Sequence, residues 1–253
     1  MAEKTTSTPR KLRILCLHGG NNTAEILKYQ MKNFAASFDQ LCEFSYLDGL
    51  CDSYAHVKPI KFFVKRGVAP PYKYWLTEKY VPYRNLPDGS AELAIGKTQV
   101  NFLNAVETVT EIVRFMNEQE EPFDGFAGFS QGVYTFQAVL KILQYFKKHV
   151  KLRHAPPSFV IDFNGLNYDQ ITYEFVNKSF ITYDFFIPDT ESIHFVSDSD
   201  IFAGAALHNH RSYERPIVIN HTHGHRPVKN LPMEDLRIVA DFLKRQFKRK
   251  NGY

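Results

Sequence analysis

Short apolar runs alternate with stretches of helical spacing along most of this chain. Lys11 to Leu17 is apolar apart from its basic positions and reads as a buried parallel strand. Thr23 to Phe38 carries Ile26, Leu27, Met31, Phe34 and Phe38 at helical intervals, with Thr23 as N-cap and Glu25 in the first turn. Glu43 to Leu47 predicts a second strand. Lys97 to Glu118 predicts one long amphipathic helix, with Val100, Leu103, Val106, Val109, Ile112, Val113 and Met116 on one face. A strand running up to Phe129 passes directly into a helical pattern over Tyr134 to Phe146. Further strands are predicted at Ser158–Phe163, Ser192–Val196 and Ile217–Ile219, a short helix at Ile201–His210 and a closing helix at Met233–Lys248. Strands alternating with helices imply an α/β fold, a mostly parallel sheet covered on both faces. One domain over 11–250 is expected, behind a polar lead at 1–10 that is predicted to be disordered.

The pattern breaks twice. Leu50 to Gly96 loses periodicity and carries five prolines among aromatics that include Tyr54, Phe62, Phe63, Tyr72, Tyr74, Trp75, Tyr80 and Tyr83. A loop this long in a compact domain is usually functional or disordered, and the aromatic load argues against disorder. It reads as a lid-like insertion over 50–96. A second aromatic-rich connection follows over 166–188, with Tyr168, Tyr173, Phe175, Phe180, Tyr183, Phe185 and Phe186.

Composition narrows the class without naming an activity. A length of 253 residues with 44% hydrophobic and 23% charged residues suits a globular α/β protein. The net charge of +4 is mild, and the visible excess lies at Lys244–Lys250, where cations suit the end of a helix, so no nucleic-acid partner is expected. Three cysteines, Cys16, Cys42 and Cys51, show no metal spacing and argue for a reducing compartment. No run is long enough to span a membrane, and the first residues lack an apolar core, so a cytoplasmic location is expected, with a nuclear pool left open.

The most informative stretch is Pro122 to Val133. It ends an apolar strand in Gly128-Phe129-Ser130-Gln131-Gly132 and then enters a helix, the context of a nucleophile elbow. Random placement of this composition predicts roughly 0.03 such motifs. The two glycines remove side chains that would collide with neighbouring backbone, which leaves the serine oxygen exposed and the Gln131 amide aimed at a developing oxyanion.

A serine hydroxyl needs a base and an orienting acid before it can attack at neutral pH. In the chain order Ser, acid, His, two later strands supply candidates at the same edge of a parallel sheet. Asp200 is favoured as the acid, with Asp198 and Asp162 as alternatives. His225 is favoured as the base because Gly224 frees its turn, with His223 as the alternative. The second oxyanion amide is assigned to Gly20, in the His18-Gly19-Gly20-Asn21 turn after the first strand, and His18 is read as a support beneath that turn. His221, His223 and His225 alternate and could hold zinc, with His208 and His210 nearby in sequence. No helical His-Glu-x-x-His accompanies them, so hydrolytic zinc chemistry is poorly supported and no metal is expected.

These motifs resemble the FSH-type family of serine hydrolases, the ovarian tumour suppressor candidate 2-like esterases. The resemblance rests on Leu17-His18-Gly19 with Asn22, Ala24, Glu25 and Ile26, on Pro122-Phe123-Asp124-Gly125 through Gly132, on Tyr72-Lys73-Tyr74-Trp75, and on Gly224-His225-Arg226-Pro227. It implies an α/β-hydrolase fold, a Ser130, Asp200 and His225 triad, and carboxylesterase activity on acyl or alkyl esters without a cofactor. Tyr74 and Trp75 are expected to touch a small-molecule ester with an apolar chain. A thioesterase, an acyltransferase and a non-catalytic binding protein on the same scaffold are the competing readings. Ser197 and the extra Asp198 depart from the family pattern before the acid.

Overall fold

The computed structural model describes residues 9–54, 61–81, 84–85, 91–92, 99–145, 148, 150–165, 170–174, 180–182, 187, 189–200, 202 and 209–252. Six strands form the central sheet: β1 (Leu12–Leu17), β2 (Cys42–Leu47), β9 (Gly125–Phe129), β10 (Phe159–Phe163), β13 (Glu191–Ser197) and β14 (Pro216–His221). Their order is β14-β13-β10-β9-β1-β2, and every neighbouring pair is parallel. With helices α1 (Ala24–Ser37), α3 (Ala105–Glu118), α4 (Gln131–Tyr145) and α5 (Met233–Asn251), this is the α/β-hydrolase architecture expected from the alternation of patterns.

Alternate strand residues feed two cores. Leu15, Leu17, Phe126, Val160 and Val196 point to the face covered by α3 and α4. Ile14, Cys16, Ala127, Phe163 and Phe195 point to the face covered by α1 and α5. In the second core Phe163 and Phe195 stack at 4.9 Å and Phe34 meets both edge-on, at 5.2 and 5.8 Å. Each fully buried ring of this kind contributes about 1.5–3 kcal/mol, and its pairing geometry adds more. Helix α1 begins as expected, because the Thr23 side chain accepts from the Ile26 amide.

Three expectations are corrected. The helix predicted from Lys97 starts only at Ala105, and Gln99–Phe102 is a strand, β8. The Asn104 side chain explains the break: its Oδ1 accepts from Thr77 N and its Nδ2 donates to Trp75 O, so it ties the chain to the preceding segment. The stretch over 50–96 is not simply a loop. It holds β3 (Cys51–Ser53) paired with β4 (Tyr72–Tyr74), the short helix α2 (Lys61–Val64), β5 (Glu78–Val81), and a small pair formed by β6 (Arg84–Asn85) and β7 (Ala91–Glu92). Strands β11 (Gln170–Glu174) and β12 (Phe180–Thr182) come from the second aromatic stretch. Together with β8 and β5 they make a four-stranded sheet ordered β12-β11-β8-β5. The two interruptions of the pattern thus join through backbone pairing. The polar lead ends before Arg10, whose Nη2 reaches both Asp124 oxygens at 3.1 Å while its amide donates to Asn251. A nearly buried carboxylate recruits this arginine into the fold.

Several expectations fall outside the described residues: the lead over 1–8, residue 201 and residues 203–208 of the predicted short helix, Phe146, and Tyr83, Tyr168, Phe175, Tyr183, Phe185 and Phe186. Of that short helix, the described end is a 3-10 turn at Asn209–Ser212.

Candidate active site

The turn between β9 and α4 puts Ser130 in the left-handed region, at φ +52. A non-glycine residue there is strained, and such strain clusters at functional sites. Its amide is held by Phe163 O at 3.1 Å. Both flanking glycines are required sterically. A Cβ at Gly132 would lie 2.1 Å from Leu17 O, and one at Gly128 would lie 2.7 Å from the Phe136 ring. Helix α4 can therefore pack against β1 and raise Ser130 above the sheet edge.

Two loops from strands β13 and β14 converge on that serine. His225 Nε2 lies 3.0 Å from Ser130 Oγ, and His225 Nδ1 lies 2.6 Å from Asp200 Oδ2. A carboxylate only accepts, so Nδ1 carries the proton and Nε2 is left with its lone pair toward the serine hydroxyl. The Asp200 side chain is fully buried, while that of His225 is 22% exposed. Asp200 Oδ1 accepts from Phe202 N at 2.8 Å, which fixes the carboxylate plane. Gly224, at φ +68, lets the loop turn the imidazole inward. The Phe129 and Phe202 rings flank that imidazole, with centroids 5.0 and 5.1 Å away.

The alternatives separate by position. Asp198 is exposed on the same turn. Asp162 is buried with its own partners, His194 Nδ1 at 2.8 Å and Gly165 N at 2.7 Å. His223 lies beside His221, with ring centroids 5.4 Å apart, and the His223 amide donates to His221 Nδ1 at 3.1 Å. Burial, and secondly the neighbouring His223, lowers the His221 pKa to about 4. Among the described residues no group of three or more His, Cys, Asp or Glu is placed to hold a metal.

Gly20 is exposed beside Gln131, and a Cβ on it would be 3.8 Å from the Gln131 side chain. The turn that carries it is held from below. His18 is fully buried, its Nδ1 bonding Gly19 O at 2.7 Å and its Nε2 accepting from Gly49 N at 2.9 Å. Burial is the main cause of its pKa falling to about 4, so the ring is neutral at physiological pH.

Trp75 departs from the expectation of a substrate contact. It is 0% exposed, donates its indole N–H to His18 O at 2.8 Å, and accepts at its carbonyl from Thr108 Oγ1 at 2.7 Å. A large ring with one polar handle is here consumed by the core beneath the Gly19–Gly20 turn. Tyr74 is half-buried in β4, opposite Cys51. Sequence reasoning also missed the Gln131 side chain, whose Oε1 accepts from Trp75 N at 2.8 Å and whose Nε2 donates to Leu76 O at 3.0 Å. It missed Asn164 as well, although the Asn-Gly pair at a strand end was a visible signal.

A parallel six-stranded sheet with a strained serine elbow and an acid and a histidine on later loops defines an α/β-hydrolase. The chain belongs to the serine hydrolase (FSH1) family, whose model matches residues 6–231. It is similar to esterase FUS5 of Gibberella fujikuroi, 27% identical over 130 residues, covering 51% of this chain and 47% of that protein. FUS5 of Gibberella moniliformis matches at 25% over 128 residues, with the same shares. The chain spans about half the length of these curated relatives. Among solved structures, Arabidopsis thaliana SOBER1 superposes with a TM-score of 0.52 at 12% identity, over 94% of this chain and all of that one. A carboxylesterase from Mesorhizobium loti gives 0.51 at 11%, over 92% and 88%. These likenesses are of fold. No helix among the described residues is long and apolar enough to cross a membrane.

Proposed function

We propose that this chain is a carboxylesterase acting through a Ser130–His225–Asp200 triad. The observation that carries the reading is the continuous hydrogen-bonded path from Asp200 through His225 to a strained, raised serine. Ser130 Oγ attacks the ester carbonyl while His225 Nε2 takes its proton. The tetrahedral oxyanion is met by the amides of Gln131 and Gly20. Collapse breaks the bond to the alkoxy group, which leaves as the alcohol with the proton from His225. Water then adds to the acyl-enzyme by the same route, and the acid departs, restoring Ser130. Asp200 stays ionised and holds the imidazolium that forms at each step.

The substrate in this reading is a small ester with an apolar acyl or alkyl chain. Phe129 and Phe202 against the His225 ring favour an apolar group beside the reacting carbon. The name of the FUS5 relatives, esterase, agrees in reaction class. No cofactor enters the scheme. Three unpaired thiols, two of them buried, suit a cytoplasmic protein. A chain-length series of p-nitrophenyl esters tests the reading: wild type turns over at least one member, and Ser130→Ala turns over none. Equal hydrolysis by the two proteins refutes it.

A further inference from the structure

The three limbs of the site come from turns far apart in sequence, and two adjoining residues, Phe163 and Asn164, touch the framework of all three between them. Phe163 ends β10, the strand between the elbow strand β9 and the acid strand β13, and Asn164 follows it. Phe163 O takes the Ser130 amide at 3.1 Å, and the Asn164 amide donates to Phe195 O at 2.9 Å. The Asn164 side chain then forks. Its Oδ1 accepts from Ser197 N at 3.0 Å, at the root of the loop carrying Asp200. Its Nδ2 donates to Arg226 O at 2.8 Å, immediately after His225, with Gly224 O further off at 3.5 Å. A backbone N–H can bond only the oxygen end of the amide, so this orientation is determined. Asn164 is wholly buried and holds φ +50, a conformation that asparagine tolerates better than most residues.

A second tie joins the same two loops. Gly224 N donates to Ser197 Oγ at 3.0 Å, the Ser197 and Ser199 hydroxyls are 3.1 Å apart, and Ser199 Oγ donates to Thr222 O at 3.0 Å. Because Ser199 commits its proton to Thr222, Ser197 donates to Ser199, and the whole chain of dipoles runs one way.

We propose that Asn164 is the positioning residue that keeps the acid and base loops in register with Ser130. Its kinetic consequence rests on the esterase reading above. The position demands an acceptor and a donor on one planar fork, together with a left-handed backbone. Aspartate lacks the donor, serine lacks the reach, and glycine supplies only the backbone. A misplacement of about 1 Å between His225 and Ser130 costs on the order of 100-fold in rate.

Two variants test this. Asn164→Gly keeps the backbone conformation and removes the side-chain bonds to both loops. Asn164→Asp keeps the acceptor for Ser197 N and sets an oxygen against Arg226 O. In both, kcat for a short p-nitrophenyl ester falls by about 10- to 100-fold while KM changes by less than about twofold. The low-field proton resonance of His225 Nδ1–H against Asp200 shifts or broadens in the same variants, a readout that does not require turnover. Should Asn164→Gly fail to fold, the near-isosteric Asn164→Asp decides. Folded variants with wild-type kcat and an unmoved resonance overturn the proposal. A wild type inert toward esters, with a resonance that still moves in Asn164→Asp, overturns the esterase reading and leaves the positioning role standing.

Discussion

Two of the Asp–His pairs among the described residues lie on neighbouring strands or the loops that leave them, and they differ in everything but the pair itself. Asp200 and His225 meet at 2.6 Å on loops beyond the sheet edge, with the imidazole 22% exposed and its far nitrogen on Ser130. Asp162 and His194 meet at 2.8 Å within β10 and β13, with side chains 3% and 1% exposed. The far nitrogen of His194 is buried and has no hydrogen-bond partner among the described residues, and its ring lies 5.1 Å from that of Tyr213. Residue type and distance therefore do not make a site. Three further conditions do: a nucleophile on the free nitrogen, access from outside, and backbone that can be aimed. Strand register fixes Asp162 opposite His194, whereas Asp200 and His225 are delivered by turns that Asn164 and Ser197 hold in place.

The largest contrast is expected from removing each histidine. His225→Ala should lower kcat by roughly 10⁴-fold, with a melting temperature within a few degrees of wild type. His194→Ala should do the reverse. It leaves a buried carboxylate short of a partner and costs about 3–5 kcal/mol in urea unfolding, while the folded fraction keeps its turnover. If His194→Ala instead abolished turnover in folded protein, the second pair would have to be admitted to the chemistry.

How much of this contrast was legible in the sequence follows from range. The elbow was legible because strand, glycines, serine and helix are contiguous, although the Leu17 carbonyl that a Cβ at Gly132 would strike comes from a distant strand. Ser130, Asp200 and His225 were legible as types on successive strand ends, although only the folded loops separate Asp200 from the exposed Asp198. The helix start at Ala105 was not legible, because Val100 and Leu103 fit a helical face and the tie of Asn104 to Trp75 is a long-range contact. Trp75 looked like a ligand contact since an aromatic in a proline-rich stretch has no periodicity to mark it as core. Asn164 escaped for the same reason: its worth lies in partners 33 and 62 residues away.

A middle-sized effect comes from the neutral His18 under the Gly19–Gly20 turn. Its folded pKa, about 4, lies below the ordinary 6.5. As pH falls through 6.5 the unfolded chain takes up a proton that the folded ring refuses, so stability declines between about 6.5 and 4 and levels off below. The loss is about 3 kcal/mol by linkage. His18→Asn, which can still donate to Gly19 O and accept from Gly49 N, should remove that share of the slope when urea unfolding is measured across this range. An unchanged slope would mean that His18 protonates freely.

The smallest effect isolates the strain at the elbow. Ser130→Gly should raise the unfolding free energy by about 1 kcal/mol relative to Ser130→Ala, since only glycine relaxes at φ +52. Both variants are inactive. Equal stabilities would remove strain from the account.

The most direct test of the central claim is covalent labelling with a fluorophosphonate, read by intact mass and peptide mapping. The Ser130–His225–Asp200 account predicts a single adduct on Ser130 that is absent in His225→Ala and undiminished in His194→Ala. Folded wild-type protein that takes no adduct, or takes it on another residue, would contradict it.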